Sequence, residues 1–384
     1  MRKQTIILLI AILLTFCTSP KNNLITEKII NIPVNIEDIK HEKISEYCKD
    51  YKIITLETSS KCLIKNITRL VPYNNRLYIF DKDLNTVFIF SDTGKYITKI
   101  HKIGKGPQEY LQLTDFTIDK ENSELILSAD RPYKFLYYNL DGEYIDEKRQ
   151  KTFFMNISNT KDKLVFYNKF IKKGTQNFKI WMQNKNKKKV DKYIPFDDPR
   201  NLGVGTGYSS LIKSMDIYLT EPFNDTVYKI TNEGAFPAYY IDFGKNKIPG
   251  NYFKKNKGKS KEEIINEFID QNNGFFLSNF RQTKKYIFFR ASNTFFIYDK
   301  LTKETKTFYG IMDDITGLNV SYFAHDGNDN KFLTILPADY FIDFVHKTNP
   351  EYRSHYKDFN KIYEIAKKLD FMDNPVLVFY TLKD

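Results

Sequence analysis

Cysteine and histidine, the side chains that most often bind metals, are scarce in this chain of 384 residues. The 3 cysteines are scattered and show no zinc-type spacing. The histidines show no HExxH pairing or other close ligand spacing; they are His41, His101, His325, His346 and His355. The sequence therefore predicts no metal site, and we expect no cofactor.

Motifs of known catalytic chemistry are also lacking. No serine lies in a G-x-S-x-G context, and the glycines at 203–207 lack the flanking strand and helix of a phosphate loop. The segment 81–85 has alternating oxygen ligands, but Thr86 and Asp92 stand where a calcium loop requires Gly and Glu. We interpret it, like 326–330, as a hairpin turn. No pair of carboxylates can be assigned to glycoside chemistry, because their separation is decisive and unknown.

Long apolar runs are confined to the N-terminus. Arg2 and Lys3 precede an apolar stretch at 6–14, and residues 1–16 contain no acidic residue. This stretch is too short to span a bilayer, so we predict a signal peptide over 1–16. With Cys17 following, the segment resembles a bacterial lipoprotein signal, in which that cysteine receives the lipid. Residues 17–50 are then a tether and lead-in. The tether lacks the acidic run of related surface-exported lipoproteins, which favours the periplasmic side of the outer membrane.

Lipidation of Cys17 would leave Cys48 and Cys62 as the other cysteines. In an oxidising envelope these two could form a disulfide, which typically contributes about 3 kcal/mol. Alternatively they are unpaired thiols, since the sequence does not give the Cα separation on which a disulfide depends.

The formal net charge of +12 is spread along the chain. Its densest run, at 185–189, lies between two predicted strands and indicates a solvated hairpin tip. Nucleic-acid binding would require basic residues gathered on one face with aromatic side chains for stacking. It would also conflict with export, so we expect no nucleic-acid partner.

The segment 76–100 contains three short strands with period-two alternation, separated by polar turns at 81–85 and 91–94. The segment around its second turn, 90–97, is repeated at 138–145. The turn glycines recur at multiples of about 45 residues, which is the length of a four-stranded propeller blade. A sheet this small needs copies packed on both faces. The sequence thus predicts an all-β, six-bladed β-propeller over 51–384. The predicted blades are 63–101, 111–149, 152–196, 209–244, 274–312 and 318–382.

Two segments at opposite ends of the chain are strand-like but belong to no complete repeat. We predict that Ile53–Glu57 forms the outer strand of the last blade and that Val376–Leu382 is its neighbour, which removes the unpaired edges of the ring. Two inserted helices are also predicted. One has a capping box at Ser260 and Glu263; the other has apolar residues at helical spacing over 359–369. We expect them to cover the ring, or alternatively to form a lid over its channel.

Several sequence segments are more specific than the general repeat pattern. They are 54–58, 103–110, 223–230, 240–249 and 373–377. Together they resemble the six-bladed, NHL-like β-propeller lipoproteins of Bacteroidota. The resemblance covers the mature chain and implies a propeller fold, a lipid anchor and an envelope location. It implies no reaction, because fold does not determine function.

The first candidate binding site is the connection that contains Lys105, Gln108, Glu109 and Tyr110. It joins two predicted blades, so we expect it near the central channel. Its glycine-rich backbone could offer amides to an anion beside Lys105 and Glu109. Alternatively, the glycines and proline only form the crossing, and Tyr110 packs between blades.

The function predicted from the sequence is that of a binding module. Its ligand at the channel mouth would be an envelope protein, a peptide or a glycan. The alternative is a propeller hydrolase or lyase whose site lies on inner strands and blade connections. A third hypothesis, a scaffold subunit, predicts an exposed aromatic patch on a blade rim.

Overall fold

The computed structural model describes residues 28–169, 177–187, 189–196, 209–320, 326–327 and 330–383, with the backbone alone at 319 and 320. The predicted signal peptide and Cys17 therefore lie outside the described residues. The six-bladed β-propeller is confirmed, because the strands form successive small sheets in chain order.

The first half of the chain supplies three complete blades. The N-terminal elements are β1 (Ile30–Pro33), α1 (Ile44–Tyr47) and β2 (Cys48–Thr55). Blade one contains β3 (Arg69–Tyr73), β4 (Arg76–Asp81), β5 (Thr86–Ser91) and β6 (Tyr96–Ile100). Blade two contains β7 (Gln112–Asp119), β8 (Glu124–Arg131), β9 (Lys134–Asn139) and β10 (Tyr144–Arg149). Blade three contains β11 (Asn156–Asn159), β12 (Lys163–Tyr167), β13 (Phe178–Asn184) and β14 (Val190–Pro195).

The second half adds three blades and most of the helices. Blade four contains β15 (Leu211–Lys213), β16 (Ile217–Leu219), β17 (Thr226–Ile230) and β18 (Ala235–Asp242). A 3-10 turn (Gly244–Asn246), α2 (Tyr252–Lys255) and α3 (Lys261–Asp270) follow. Blade five contains β19 (Ser278–Gln282), β20 (Tyr286–Ala291), β21 (Thr294–Asp299) and β22 (Thr305–Phe308), followed by the short pair β23 (Ile311–Met312) and β24 (Asn319–Val320). The last elements are β25 (Lys331–Leu336), α4 (Ala338–Lys347), α5 (Pro350–Arg353), α6 (Phe359–Ala366) and β26 (Val376–Leu382).

Each blade buries both of its faces against its neighbours, which explains why strands such as β4 and β5 are apolar at nearly every position. A hydrophobic cluster lies at each junction between consecutive blades. A further cluster joins blade six to blade one, where Phe379 and Leu333 pack with Ile79 and Phe90. The clusters thus form a closed ring.

The predicted closure of the ring is also confirmed. β2 pairs antiparallel with β26, with Ile54 opposite Leu377 and Lys52 opposite Phe379. β25 pairs with the other side of β26, so blade six combines strands from both ends of the chain. Blade one contacts this seam at Gly94, whose carbonyl accepts a hydrogen bond from the Glu57 amide at 2.8 Å.

The segment before β2 follows the outer edge of the ring. β1 pairs in parallel with β18 of blade four. Ile39 then forms a bridge to Thr307 of blade five, and Lys43 forms one to Met312. From residue 30 onward, the chain therefore contacts blades four, five and six in turn, a course that the sequence pattern did not indicate.

Both predicted helices are present. The Ser260 hydroxyl accepts from the Glu263 amide at 3.2 Å, and the Glu263 carboxylate accepts from the Ser260 amide at 2.6 Å, which is the predicted capping box of α3. α3 packs on Phe223 and Phe275, and α6 packs in the cluster of blades five and six. Their apolar sides therefore cover the ring. The sequence analysis missed α4, whose aromatic and β-branched residues also suit a strand.

The possible disulfide between Cys48 and Cys62 is not formed, and both cysteines are buried free thiols. Cys48 lies in the cluster between blades five and six, whereas Cys62 lies in the cluster between blades six and one. The sheet of blade six separates these two clusters. The Cys62 thiol instead donates to the Glu57 carbonyl at 3.2 Å.

Candidate functional site

The predicted site residues Lys105, Gln108, Glu109 and Tyr110 share one connection between β6 and β7. The Glu109 carboxylate turns back to accept from the Gly106 amide at 2.9 Å. The Gln108 amide donates to Glu147 at 2.8 Å. Tyr110 is fully buried between blades one and two, and its hydroxyl lies 3.1 Å from the Asn85 carbonyl. Tyr110 therefore has the packing role that was the alternative interpretation.

This connection lies over the outer half of blade two. Lys134 of β9 donates to the Gly106 carbonyl at 3.4 Å and pairs with Glu147 of β10 at 2.7 Å. Lys105 is exposed beside a cavity of about 360 Å³ that also contacts the β8–β9 turn at Pro132. The connection thus contacts outer strands, whereas we expected it near the channel. Ligand binding there stays a prediction.

The innermost strands instead surround a buried arginine. Arg69 of β3 is 4% exposed. Its Nη1 donates to Asp115 Oδ2 at 2.7 Å, to the Phe116 carbonyl at 2.8 Å and to the Ile157 carbonyl at 3.0 Å. Its Nη2 pairs with Asp326, just before blade six. One guanidinium therefore joins blades one, two and three to the segment that leads into blade six.

The contacts continue from Asp326 to blade four. Asp326 Oδ1 accepts from the Lys213 amide at 3.0 Å. Lys213 Nζ donates to the Asn159 carbonyl at 2.7 Å and to Asn159 Oδ1 at 3.2 Å. Thr117 Oγ1 also donates to Asn159 Oδ1, at 3.0 Å. We call Arg69, Asp115, Thr117, Asn159, Lys213 and Asp326 the central polar network.

The two cations of this network are stabilised differently. Burial lowers the pKa of Arg69, but the charges of Asp115 and Asp326 outweigh burial and hold that pKa above its ordinary value. For Lys213, burial lowers the pKa to about 8, and the attraction of Asp326 only partly opposes this effect. Repulsion by Lys120 and Lys185 lowers it further. Arg69 thus stays charged, whereas Lys213 releases its proton at a lower pH than an ordinary lysine.

Antiparallel pairing gives the ring two distinct faces. The turns from the first to the second strand of each blade lie on one face, which we call face A and which carries residues 74–75, 120–123, 160–162 and 214–216. The connections between blades, including 101–111, lie on the opposite face, face B. Lys213 and Asn159 lie at the end of the network that is nearest to face A.

A cavity of about 420 Å³ lies at this end of the network. We call it the face A cavity. Blades two, three and four line it with their first turns, and the last turn of blade four completes it. The lining residues are Lys120, Glu121, Asn159, Thr160, Lys161, Lys213, Met215, Asp216, Ile217, Ile230, Thr231, Asn232 and Glu233. The cavity is therefore assembled only by the tertiary structure, from residues far apart in the chain.

The carboxylates at the rim of this cavity have contacts of their own. Asp216 pairs with Lys229 at 3.1 Å, and the Thr231 hydroxyl donates to Glu233 at 2.5 Å. Of the rim lysines, Lys120 lies over the Tyr73 ring at 5.3 Å. Within the described part of the chain, neither Lys120 nor Lys161 has a carboxylate within ion-pair distance.

A second buried charge lies between blades three and four. Glu221 accepts from Lys179 at 2.6 Å and from the Tyr167 hydroxyl at 2.9 Å. Burial, followed by the Glu221 charge, raises the pKa of Tyr167 well above its ordinary value. Glu221 of blade four thus bonds both Lys179 and Tyr167 of blade three, so this cluster stabilises the junction of the two blades.

The described residues contain no group of three His, Cys, Asp or Glu side chains that could hold a metal ion. Among the described helices, none has the length and apolar character needed to cross a membrane.

The sequence analysis missed the central polar network. Asp326 was assigned only to a turn, and Arg69 and Lys213 occupy strand positions without a motif around them. Arg69 and Asp326 are 257 positions apart. The one signal in the sequence is that Arg69 and Lys213 are charged residues in predicted inner strands. Charged residues are rarely buried there unless they have a partner of opposite charge.

Known families and solved structures show what this chain is similar to. A family model described as "Domain of unknown function (DUF4934)" matches residues 27–381. The chain is similar to a crystal structure from Bacteroides fragilis, named as a candidate exported protein. Identity is 18%, the TM-score is 0.73, and 93% of this chain and 100% of that chain are covered. A protein of unknown function from Bacteroides thetaiotaomicron has 11% identity and a TM-score of 0.47, with coverages of 90% and 75%. No curated protein sequence matches this chain.

Proposed function

We propose that this chain, which belongs to the family described as a domain of unknown function (DUF4934), is a binding module of the cell envelope. Its ligand, a protein, peptide or glycan, occupies the face A cavity. The observation that carries this proposal is a cavity of about 420 Å³ at the channel mouth, built from the turns of three blades.

The size and lining of the cavity support ligand binding. Ligand pockets measure about 300–1,000 Å³ and combine apolar surface with a few convergent polar groups. Here Met215, Ile217 and Ile230 supply apolar surface, while Asn159 and Lys213 present polar groups at the inner end. Asn159 and Lys213 are fixed by the central polar network, so the binding surface is preorganised and binding costs little ordering entropy.

The envelope location rests on the N-terminal sequence and on the similar exported protein. Arg2, Lys3 and the apolar stretch that follows direct export, and Cys17 carries the lipid. The Bacteroides fragilis protein is itself named as a candidate exported protein. The described chain joins the ring at β1, on the outer edge of blade four. The tether therefore meets the ring at its rim, on the periplasmic side of the outer membrane.

A pair of methionine variants tests the cavity. Met215 lines the cavity and is 64% exposed, whereas Met372 is 77% exposed and lies outside the lining. The mature protein would be screened against N-acetylated, C-amidated tetrapeptides and an array of envelope oligosaccharides. We expect Met215→Trp to weaken binding by about tenfold or more, because its bulk fills part of the cavity without adding charge, and Met372→Trp to leave binding unchanged.

The control for this test is thermal unfolding, which both variants should leave close to that of the wild type, since both positions are exposed. Equal binding by the two variants, or no binding from either panel, contradicts the proposal. Loss of binding in Lys105→Ala but not in Met215→Trp would move the site to the β6–β7 connection on face B.

A further inference from the structure

We propose that the face A cavity binds an acidic peptide and that Lys213 Nζ receives its carboxylate. This inference rests on the proposed function of the same cavity. It adds the chemical class of the ligand and the residue that recognises it.

Lys213 is partly buried and, unlike Arg69 and Lys134, has no carboxylate within ion-pair distance in the described chain. Arg69 pairs with two aspartates, and Lys134 pairs with Glu147 at 2.7 Å. Lys213 Nζ donates only to the two oxygens of Asn159. An ammonium group has three donors, so one donor of Lys213 is left for the cavity that it lines.

A buried cation without a counter-charge is unfavourable, because the desolvation of the charge is not repaid by an ion pair. Neutral amide oxygens compensate only part of this penalty. The low pKa of Lys213 reflects the same imbalance. A ligand carboxylate would complete the third hydrogen bond and supply the missing charge.

Apart from Glu121, the carboxylates that line the cavity or act on Lys213 have partners elsewhere. Asp326 pairs with Arg69 and accepts the Lys213 backbone amide. Asp119 pairs with Lys185 at 2.8 Å. At the rim, Asp216 and Glu233 have the contacts described above, and Glu121 is exposed.

The rim lysines add to the attraction for an anion. Lys120 and Lys161 line the cavity without a carboxylate partner in the described chain. They would attract the acidic group during its approach, and Lys213 would hold it at the inner end.

The lining favours a peptide over a sugar as the carrier of the carboxylate. The apolar residues are the flexible or branched side chains of Met215, Ile217 and Ile230, and the neutral polar ones are amides and hydroxyls. Among the residues that the structure describes, no aromatic ring lines the cavity, so these residues offer no flat surface for the face of a sugar ring. Aliphatic side chains and backbone amides of a peptide match this lining.

The test compares two tetrapeptide libraries that differ only in having Glu or Gln at one position. Both are N-acetylated and C-amidated, so the side chain is the only possible carboxylate. We expect the mature protein to bind Glu peptides about 10-fold to 100-fold more tightly than Gln peptides at pH 7. This ratio of affinities is what one hydrogen bond to a charged group contributes. Lys213→Met should abolish this preference, and Lys105→Met, which removes an exposed lysine on face B, should preserve it.

The preference should also depend on pH in a characteristic way. Only the ammonium form of Lys213 binds a carboxylate, so affinity for Glu peptides should fall as pH rises through about 8. A surface lysine would retain its charge to about pH 10. The charged groups that act on Lys213 are Lys120 and Lys185, which repel its ammonium, and Asp326 and Asp119, which attract it.

A measurement on the wild-type protein avoids any folding defect of the variant. At pH 7.5 an acylating reagent should modify Lys213 faster than exposed lysines, because a larger share of its amine is neutral. A Glu tetrapeptide should protect Lys213 from the reagent, as followed by mass spectrometry, and its Gln counterpart should not.

The outcomes separate the two proposals. Equal binding of Glu and Gln peptides that depends on Met215 but not on Lys213 overturns this inference and leaves the proposed function standing. Binding of tetragalacturonate, an acidic oligosaccharide, in place of Glu peptides overturns the peptide class. Binding that ignores both Met215 and Lys213 overturns both proposals.

Discussion

Replacing Arg69 by methionine should be among the most damaging single substitutions in this protein. The change keeps an unbranched, apolar side chain but removes the charge between Asp115 and Asp326, whose side chains are 3% and 5% exposed. Removing one partner of a buried ion pair costs about 3–5 kcal/mol, because the other partner stays buried and uncompensated. Since whole domains are stable by only about 5–15 kcal/mol, Arg69→Met should remove a large share of the total stability.

The assay is urea unfolding at pH 7, followed by tryptophan fluorescence or circular dichroism. We expect a lower midpoint with an unchanged slope, which reports a change in stability without a change in the surface exposed on unfolding. The matched control is Arg76→Met, which lies in β4, the second strand of the same hairpin. Arg76 pairs with Asp141, which is 63% exposed, and loss of an exposed pair costs about 0–1 kcal/mol.

A compensating variant tests the cause of the loss. In Arg69→Met combined with Asp115→Asn and Asp326→Asn, no bare carboxylate stays buried, so part of the lost free energy of unfolding should return. If Arg69→Met costs no more than Arg76→Met, the central polar network does not hold the inner strands together and this reasoning is wrong.

Three further predictions follow from other parts of the ring. Gly94→Ala should destabilise by about 1–3 kcal/mol in thermal unfolding, because its φ is +88° and a Cβ would lie 2.1 Å from the Thr55 carbonyl oxygen; Gly250→Ala, with no atom within 4 Å, should have little effect. Cys48 and Cys62 should react with a thiol reagent only after unfolding, since both are buried. The test uses the chain from residue 18 onward, denatured without a reducing agent. If no free thiol is then detected, the two cysteines form a disulfide instead. Lys213 is protonated in the unfolded chain at pH values where the folded chain has released its proton. From pH 8 to pH 10.5, the difference in free energy of unfolding between the wild type and Lys213→Met should therefore shift in favour of the wild type by roughly 3 kcal/mol. A difference that does not change with pH would contradict this prediction.

Elements that depend on local spacing could be predicted from the sequence. The turn glycines at 94 and 142 mark the ends of equivalent hairpins, and both have positive φ in the structure. The capping box at Ser260 needs only four consecutive residues, so its contacts could be anticipated in detail. Helix α4 was missed because its residues suit either a helix or a strand, and only its packing against α6 and the blade five–six cluster favours the helix.

The candidate site was predicted less well than the fold. The glycine-rich connection at 103–110 was chosen because glycine and proline are conspicuous in a sequence. Its Tyr110 packs between blades, and its Glu109 bonds its own backbone. Lys213 was not singled out, because a lysine at the end of a short strand resembles any solvated lysine until its surroundings are known.

The sequence by itself determined the number of blades and the way in which the ring closes. Repeated strands with two apolar faces have to pack on one another, and strands left over at both ends of the chain have to pair, so local periodicity is sufficient for both conclusions. Only the tertiary structure decided which polar residues meet at the centre and where a cavity opens. Arg69, Asp115, Lys213 and Asp326 come from four separate parts of the chain. Their burial and charge balance arise only when the ring is closed, because these properties depend on neighbours that no local pattern specifies.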